Sequence, residues 1–320
     1  MIKVSQPGQD APVVPLATRI LFALRMGRPK FLVGGLLLHL LGVAMALANR
    51  ATLKAPALLW GQAAVTTIQL MTHYSNDYFD LAADQANPTP THWSGGSRVL
   101  PEGWLAPQVA LRIAIGLGLF ALGVAAVLAL VVQPGVVTFL LIAGALLLAW
   151  SYSAPPLRLH SRGVGELSTA LVVTGMTPLV GFYVQAGRLG PALLGVLPLC
   201  CLQFAMLLAI EFPDAVGDTS VGKRTLVVRL GGMRAARLHA LALLTAYAIL
   251  PLLVSSGLPV LVAVSVCMGA PVAAWQAWRV LRGAWADPAG WNSLGLWAIA
   301  LLMGTTAAEL LSFLRLAGWR

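Results

Sequence analysis

The chain has 320 residues, of which 58% are hydrophobic and only 10% are charged. This composition excludes a soluble globular domain and indicates a polytopic membrane protein. The formal net charge of +10 would suit a nucleic-acid partner. We expect none, because the basic residues follow a membrane topology.

Apolar runs separated by short polar breaks recur along the whole sequence, and a helical membrane crossing needs ~20 such residues. About nine runs meet this length rule. The predicted fold is therefore all-α, with nine transmembrane helices around a central cavity. The predicted spans are residues 31–48, 56–75, 107–131, 135–152, 164–186, 192–212, 238–256, 258–281 and 293–316.

The lysines and arginines divide unequally between the two sides of such a bundle. If the N-terminus is inside, 16 of the 21 face the cytoplasm and five, among them Arg50 and Lys54, face the other side. The positive-inside rule then favours a cytoplasmic N-terminus and, for a bacterial chain, the inner membrane. Residues 1–30 are polar and basic without a cleavable signal, so we interpret them as a cytoplasmic segment. Residues 31–316 form one predicted transmembrane domain.

The acidic residues group in a way that predicts function. Only 11 are present, and six form two sets with i, i+3, i+7 spacing: Asp77, Asp80 and Asp84, then Glu211, Asp214 and Asp218. On a helix each set falls within a ~60° arc and can face one centre.

The two sets follow spans two and six, within the predicted loops 76–106 and 211–237. Gln69 and Gln203 each lie eight residues upstream of their set. This correspondence predicts two four-helix halves and an additional ninth helix. The alternative is that each acidic set has no function and only caps a helix end in contact with water. We favour a functional site, because like charges on one face repel each other unless a cation binds them.

Carboxylates without histidine or cysteine partners favour Mg²⁺, with Mn²⁺ as a substitute, and Mg²⁺ usually shares its sites with phosphate oxygens. Basic residues suited to a diphosphate follow in the same loops at Arg98, Arg158, Lys223 and Arg224. A diphosphate at the end of a membrane bundle suggests a polyprenyl diphosphate, whose allylic C–O bond ionises. Tyr78, Phe79 and Tyr152 could stabilise the carbocation, or belong to an interfacial belt.

These motifs resemble the UbiA superfamily of intramembrane prenyltransferases. "NDYFDLAAD" fits its N-D-x-x-D-x-x-x-D signature, "DAVGDTSVGKRTL" its second aspartate motif, and "YSAPPLRLHSRGVGE" its loop after span four. The resemblance implies two Mg²⁺ ions held by Asp77, Asp80, Asp84, Glu211, Asp214 and Asp218, with the five aspartates catalytic. It implies diphosphate contacts from Asn76, Arg98, Tyr152, Arg158, Lys223 and Arg224.

The acceptor is indicated less directly. "GGSRVL" and "GKRTL" resemble the 1,4-dihydroxy-2-naphthoate polyprenyltransferases of menaquinone synthesis, whereas "YSAPPLRL" also occurs in relatives with other acceptors. We therefore expect an aromatic quinone precursor, with 4-hydroxybenzoate, homogentisate or a tetrapyrrole as alternatives. Gln69, His73, Glu166 and Gln203 are candidate acceptor contacts or interhelical hydrogen bonds. A divalent-cation transporter is the alternative from another class. The sequence does not indicate an oligomeric state.

Overall fold

The computed structural model describes residues 15–319, and within that range the chain is all-helical, as predicted. The first half contains α1 (Leu16–Met26), α2 (Pro29–Ala48), α3 (Ala55–Phe79), α4 (Leu81–Ala86), α5 (Pro107–Val127) and α6 (Val136–Ser153). The second half contains α7 (Gly165–Thr169), α8 (Thr177–Ala186), α9 (Val196–Glu211), α10 (Ala215–Ser220), α11 (Leu226–Leu230), α12 (Gly232–Ala248), α13 (Leu250–Ser255), α14 (Val260–Cys267), α15 (Ala270–Leu281) and α16 (Trp291–Leu316).

All nine predicted spans are helical, but fewer qualify as membrane crossings. Among the described residues, seven helices are long and apolar enough to cross a bilayer, or eight if the bent pair α14 and α15 forms one span. The predicted second span lies in α3, which has 25 residues but is not among them. Gln62, Gln69 and His73 make α3 more polar, and two of these side chains line the cavity described below. A count of nine crossings stays a prediction.

Prolines accompany helix breaks in several predicted spans, including spans five and eight. The 42° bend between α14 and α15 precedes Pro271, which cannot donate a backbone hydrogen bond. In span five, a π-helical stretch over Ala170–Met176 joins α7 to α8 just before Pro178. Both irregularities arise because proline removes a donor and its ring clashes with the preceding turn. The π-helical stretch contributes to the wall of the cavity.

Corresponding helices of the two halves pack in corresponding ways. Helix α3 packs against α5 in the first half, and α9 packs against α12 in the second. Helix α2 packs against α8, which joins the first spans of the two halves, and α16 packs against both α2 and α9. The contacts therefore agree with two halves and an additional last helix.

The contact between α2 and α8 depends on glycines. A Cβ atom added to Gly42 would lie 2.0 Å from the carbonyl oxygen of Pro178, and one added to Gly181 would lie 2.4 Å from that of His39. Both neighbours are backbone atoms, which cannot rotate away. Small residues at a helix crossing allow this approach, and here they fix how the two halves meet.

The predicted loops are more ordered than the sequence suggested. Within the N-terminal segment 1–30, α1 occupies Leu16–Met26, while residues 1–14 lie outside the described range. The first predicted aspartate loop, 76–106, begins inside α3 and includes α4. The second, 211–237, includes α10 and α11. Both acidic motifs are therefore fixed on helix ends, which restricts where their side chains can point.

Candidate functional site

A cavity of about 410 Å³ lies between the halves and contains the acidic motifs at one end. Its walls are mostly aliphatic and come from spans one, two, four, five, six and nine. Its head is lined by Arg28, Lys30, Asn76, Asp80, Asp84, Tyr152, Glu211, Asp214, Asp218 and Lys223. A polar head with apolar walls suits an amphiphile that carries a charged group.

The first acidic motif reaches the cavity from the end of α3. Asn76 donates to Asp80 Oδ2 at 2.7 Å and to Ser153 Oγ at 3.1 Å. Asp80 also contacts the buried His160, whose Nε2 lies 2.5 Å from Asp80 Oδ1. Asn76, Asp80 and Asp84 are four residues apart and line the same cavity, as one helical face would.

Asp77 lies behind that face. It is 1% exposed, forms an ion pair with Arg28 and accepts hydrogen bonds from the backbone and hydroxyl of Ser97. Arg28 has a left-handed backbone with φ 47°, which is uncommon for a residue with a side chain. Asp77 thus connects the start of α2 to the loop after α4.

The second motif lies at the end of α9 and on α10, and it joins the halves. Asp214 Oδ1 accepts from Asn87 Nδ2 at 2.6 Å, and Oδ2 accepts from the backbone N–H of Gly95 at 3.3 Å. Glu211 is buried next to Glu166, which accepts a hydrogen bond from the Leu226 backbone at 2.6 Å. Each motif is therefore held partly by the opposite half of the chain.

Lys223 lies between the two motifs. Its Nζ is 3.1 Å from Asp80 and 3.3 Å from Asp218. Burial opposes the charge on Lys223, but these carboxylates overcome it and raise the pKa of Lys223 well above its ordinary value. Burial also opposes ionisation of Asp80, but Lys223 and His160 hold the pKa of Asp80 below its ordinary value. Lys223 and Asp80 are therefore both charged near neutral pH.

Asp84 and Asp214 have a raised pKa instead. Burial, aided by the like charge of Asp80, raises the pKa of Asp84 to about 8. Burial and the charge of Asp218 raise the pKa of Asp214 to about 6. An additional cation near these groups would favour their ionised forms.

The donor atoms fit Mg²⁺ chemically. Hard carboxylate oxygens surround the head, and Glu211 Oε2 and Asp218 Oδ2 are buried without a hydrogen-bond partner. Across residues 15–319, no three acidic, histidine or cysteine side chains converge closely enough to hold a metal ion by themselves. Lys223 separates the two motifs. Water or phosphate oxygens would complete the coordination, as is usual for Mg²⁺.

The predicted diphosphate contacts are only partly brought together. Tyr152 and Lys223 line the cavity with Asn76, but Arg98, Arg158 and Arg224 do not. Arg98 instead donates to the backbone carbonyl of Asp84 and lies near Glu102, and the other two arginines are exposed.

From the sequence, Arg28 and Lys30 were expected only to contribute to the excess of basic residues on the cytoplasmic side. In the structure both line the head of the cavity. The sequence feature that could have indicated them is the position of two basic residues on either side of Pro29, where the first span begins. His160 gave no signal, because its contact with Asp80 crosses 80 residues of sequence.

The candidate acceptor contacts also divide. Gln69, His73 and Gln203 line the cavity, whereas Glu166 is buried behind Glu211. Gln69 donates to the Phe31 carbonyl at 2.7 Å, and His73 Nδ1 lies 2.8 Å from the Gly27 carbonyl. Tyr152 is the one residue of the three proposed cation-stabilising aromatics that reaches the cavity within the described part of the chain.

Fold and cavity together define an integral, multi-pass membrane protein with a carboxylate-rich site between two helical halves. The sequence profile of the UbiA prenyltransferase family matches residues 36–299, so the chain belongs to that family. The family resemblance of the motifs is confirmed.

Known relatives agree on the family but differ in their acceptors. A digeranylgeranylglyceryl phosphate synthase from Thermococcus gammatolerans is 32% identical over 163 residues, which are 50% of this chain and 52% of that protein. The chain thus spans about half the length of that relative. A 1,4-dihydroxy-2-naphthoate octaprenyltransferase from Escherichia coli is 28% identical over 220 residues, 67% of this chain and 70% of the relative.

A solved structure agrees in fold. The UbiA homolog from Archaeoglobus fulgidus, bound to DMAPP and Mg²⁺, has a TM-score of 0.64 and 16% identity, covering 90% of this chain and 98% of that one.

Proposed function

We propose that the protein is a membrane-embedded prenyltransferase that moves a polyprenyl group from its diphosphate to an acceptor. The observation that carries this proposal is the cavity itself, in which carboxylates, Arg28 and Lys223 form a polar head above aliphatic walls. A prenyl diphosphate has this same division between a charged and an apolar end. Membership of the UbiA family supports the reaction class.

The residues of the head divide into two tasks in this proposal. Asn76, Asp80, Asp84, Glu211, Asp214 and Asp218 would supply oxygen ligands for two Mg²⁺ ions, with Mn²⁺ as a substitute. Bound Mg²⁺ would neutralise the diphosphate and stabilise it as a leaving group. Lys223 and Arg28 contribute positive charge, and Asp77 positions Arg28.

The rest of the cavity protects the reaction. Ile142, Ala145, Val172 and Met176 line an apolar wall that keeps water from the allylic carbocation formed when the C–O bond breaks. The Tyr152 ring can face that cation. The acceptor then forms the new bond and loses a proton.

The acceptor we favour is an aromatic quinone precursor, 1,4-dihydroxy-2-naphthoate, as in the Escherichia coli relative. A glyceryl phosphate that already carries a prenyl chain is a second candidate, supported by the Thermococcus relatives. We further propose that the N-terminus and the head of the cavity face the cytoplasm, in agreement with the distribution of basic residues.

Mass spectrometry of products tests the proposal. The purified protein is incubated with Mg²⁺, geranylgeranyl diphosphate and a mixture of dihydroxynaphthoate, 4-hydroxybenzoate and homogentisate, and Asp80→Asn is the control. We expect a prenylated product that requires Mg²⁺ and falls by at least ~100-fold in the variant, since a buried carboxylate ligand is lost. Ion flux in proteoliposomes without any diphosphate release would instead favour a transporter.

A further inference from the structure

Lys30 differs from the other basic residues of the cavity head. Arg28 pairs with Asp77, and Lys223 pairs with Asp80 and Asp218. Lys30 lines the same cavity but has no carboxylate within 4.0 Å among residues 15–319, and its ammonium donates only to the backbone carbonyl of His92. It is therefore a cation at the rim whose charge the described protein does not neutralise.

Two aromatic rings accompany this ammonium. Lys30 Nζ lies 5.0 Å from the centroid of the Phe31 ring and 4.6 Å from that of Trp93. Both rings line the cavity, with their centroids 6.4 Å apart in an edge-to-face arrangement. Ring faces hold a cation without neutralising its charge, so Lys30 keeps its attraction for an anion.

The position of Trp93 is fixed from outside the cavity. Its Nε1 donates to the Asn292 carbonyl at 3.0 Å, and the neighbouring backbone N–H of His92 donates to Asn292 Oδ1 at 3.0 Å. Its ring also packs on Gly295, where an added Cβ would lie 2.8 Å from Trp93 Cδ1. The first turns of α2 and α16 thus hold a preformed basic and aromatic surface.

Space for a second molecule lies next to this surface. Gly34 and Gly35 follow on α2 and line the cavity without side chains. A Cβ at Gly35 would lie 2.2 Å from Gln69 Oε1, and one at Gly34 would lie 3.4 Å from Met303 Sδ. Gln69 and Met303 therefore pack closely against α2 at these glycines. The room for a flat or apolar group is the cavity that these side chains line together with the two glycines.

We propose that Lys30, Phe31 and Trp93 form the subsite that binds the anionic group of the acceptor. The inference rests on the proposed prenyl transfer. The diphosphate needs the metal-binding carboxylates and the cations bound to them. Lys30 is more than 4.0 Å from the carboxylates that form ion pairs in the head, Asp77, Asp80 and Asp218. The chemistry it selects is a carboxylate on an aromatic ring or a phosphate on a glyceryl lipid, with the apolar part of the acceptor in the cavity beside the two rings.

Equilibrium binding to the purified full-length protein in detergent tests the subsite, with Lys30→Gln as the variant. One arm compares 1,4-dihydroxy-2-naphthoate with 1,4-dihydroxynaphthalene, which lacks the carboxylate. The other compares an alkylglyceryl phosphate with the corresponding alkylglycerol. Lys30→Arg keeps the charge, and Lys54→Gln is the matched control, because Lys54 lies near Gln133 outside the cavity.

We expect one of the two comparisons to respond. In that comparison, Lys30→Gln should weaken binding of the anionic probe by about tenfold or more, since a charge-assisted contact is lost. Binding of the neutral analogue should change less than about twofold, and the affinity for prenyl diphosphate should stay unchanged. Lys30→Arg should retain most of the affinity. The arm that responds identifies the source of the anion.

Equal losses for charged and neutral probes would overturn the proposal, as would a loss confined to prenyl diphosphate. A wild-type protein that does not prefer an anionic probe in either arm would also overturn it. Failure of the proposed function is seen separately, as absence of Mg²⁺-dependent diphosphate release from prenyl diphosphate by the wild-type protein.

Discussion

Replacing Lys223 with methionine tests whether the metal-free site is held together by one ammonium group. The side chains of Lys223, Asp80 and Asp218 are only 15%, 7% and 4% exposed. Removing one partner of a buried ion pair typically costs ~3–5 kcal/mol, because the remaining charge is buried without compensation. His160 and Asn76 still contact Asp80, so we expect the lower end, about 3 kcal/mol.

The assay is urea unfolding in detergent micelles with a chelator present, followed by tryptophan fluorescence. Lys54→Met is the control, since Lys54 is exposed and should change the free energy of unfolding by less than ~0.5 kcal/mol. Adding Mg²⁺ without diphosphate should stabilise Lys223→Met more than the wild type, because a bound cation replaces the missing charge. A loss below ~1 kcal/mol, or one equal to that of the control, would refute the reasoning.

Two further predictions concern protons and packing. Because the pKa of Asp84 is raised to about 8, its folded state binds a proton that the unfolded state has lost. The stability of the metal-free protein should therefore fall as pH rises from about 4 to about 8, and Asp214, with its pKa raised to about 6, acts in the same direction. At pH 7, Mg²⁺ binding should release about one proton, measured by calorimetry in buffers of different ionisation enthalpy. Release of the same size from Asp84→Asn would contradict this assignment. Gly42→Ala should destabilise the bundle by about 3 kcal/mol or more, since its Cβ meets the Pro178 backbone at 2.0 Å. Gly116→Ala, with nothing within 4 Å and a position inside α5, should not destabilise the protein in the same unfolding assay, and equal effects of the two would count against a close α2–α8 contact.

The helical segments could be read from the sequence because the period and length of apolar runs depend on local composition. Each predicted span overlaps a helix, and the prolines that interrupt spans five and eight were visible. Helix α1 was not predicted, since its apolar residues Leu16, Ile20, Leu21 and Leu24 are mixed with arginines in a short segment. In the structure these four side chains are exposed. Packing against the bundle therefore does not impose on α1 the regular apolar pattern by which the other helices were predicted.

The acidic motifs were recognised from their spacing, but the direction of each carboxylate depends on long-range partners. The i, i+3, i+7 pattern groups Asp77 with Asp80 and Asp84, whereas Arg28 and Ser97 draw Asp77 behind the cavity-lining face. The arginines near the motifs were expected at the diphosphate because of their sequence proximity. Arg98 turns instead toward the backbone of α4, and Lys30 reaches the cavity from another helix.

The pairing of Lys223 with Asp80 also bears on biogenesis. The two residues are 143 positions apart, and Asn87 and Asp214 are 127 positions apart. At ~5–20 residues per second, the ribosome delivers Lys223 about 7–30 s after Asp80. Until then, an inserting chain carries the first acidic motif with Arg28 as its nearby base. A chain truncated before residue 223 would keep that imbalance permanently.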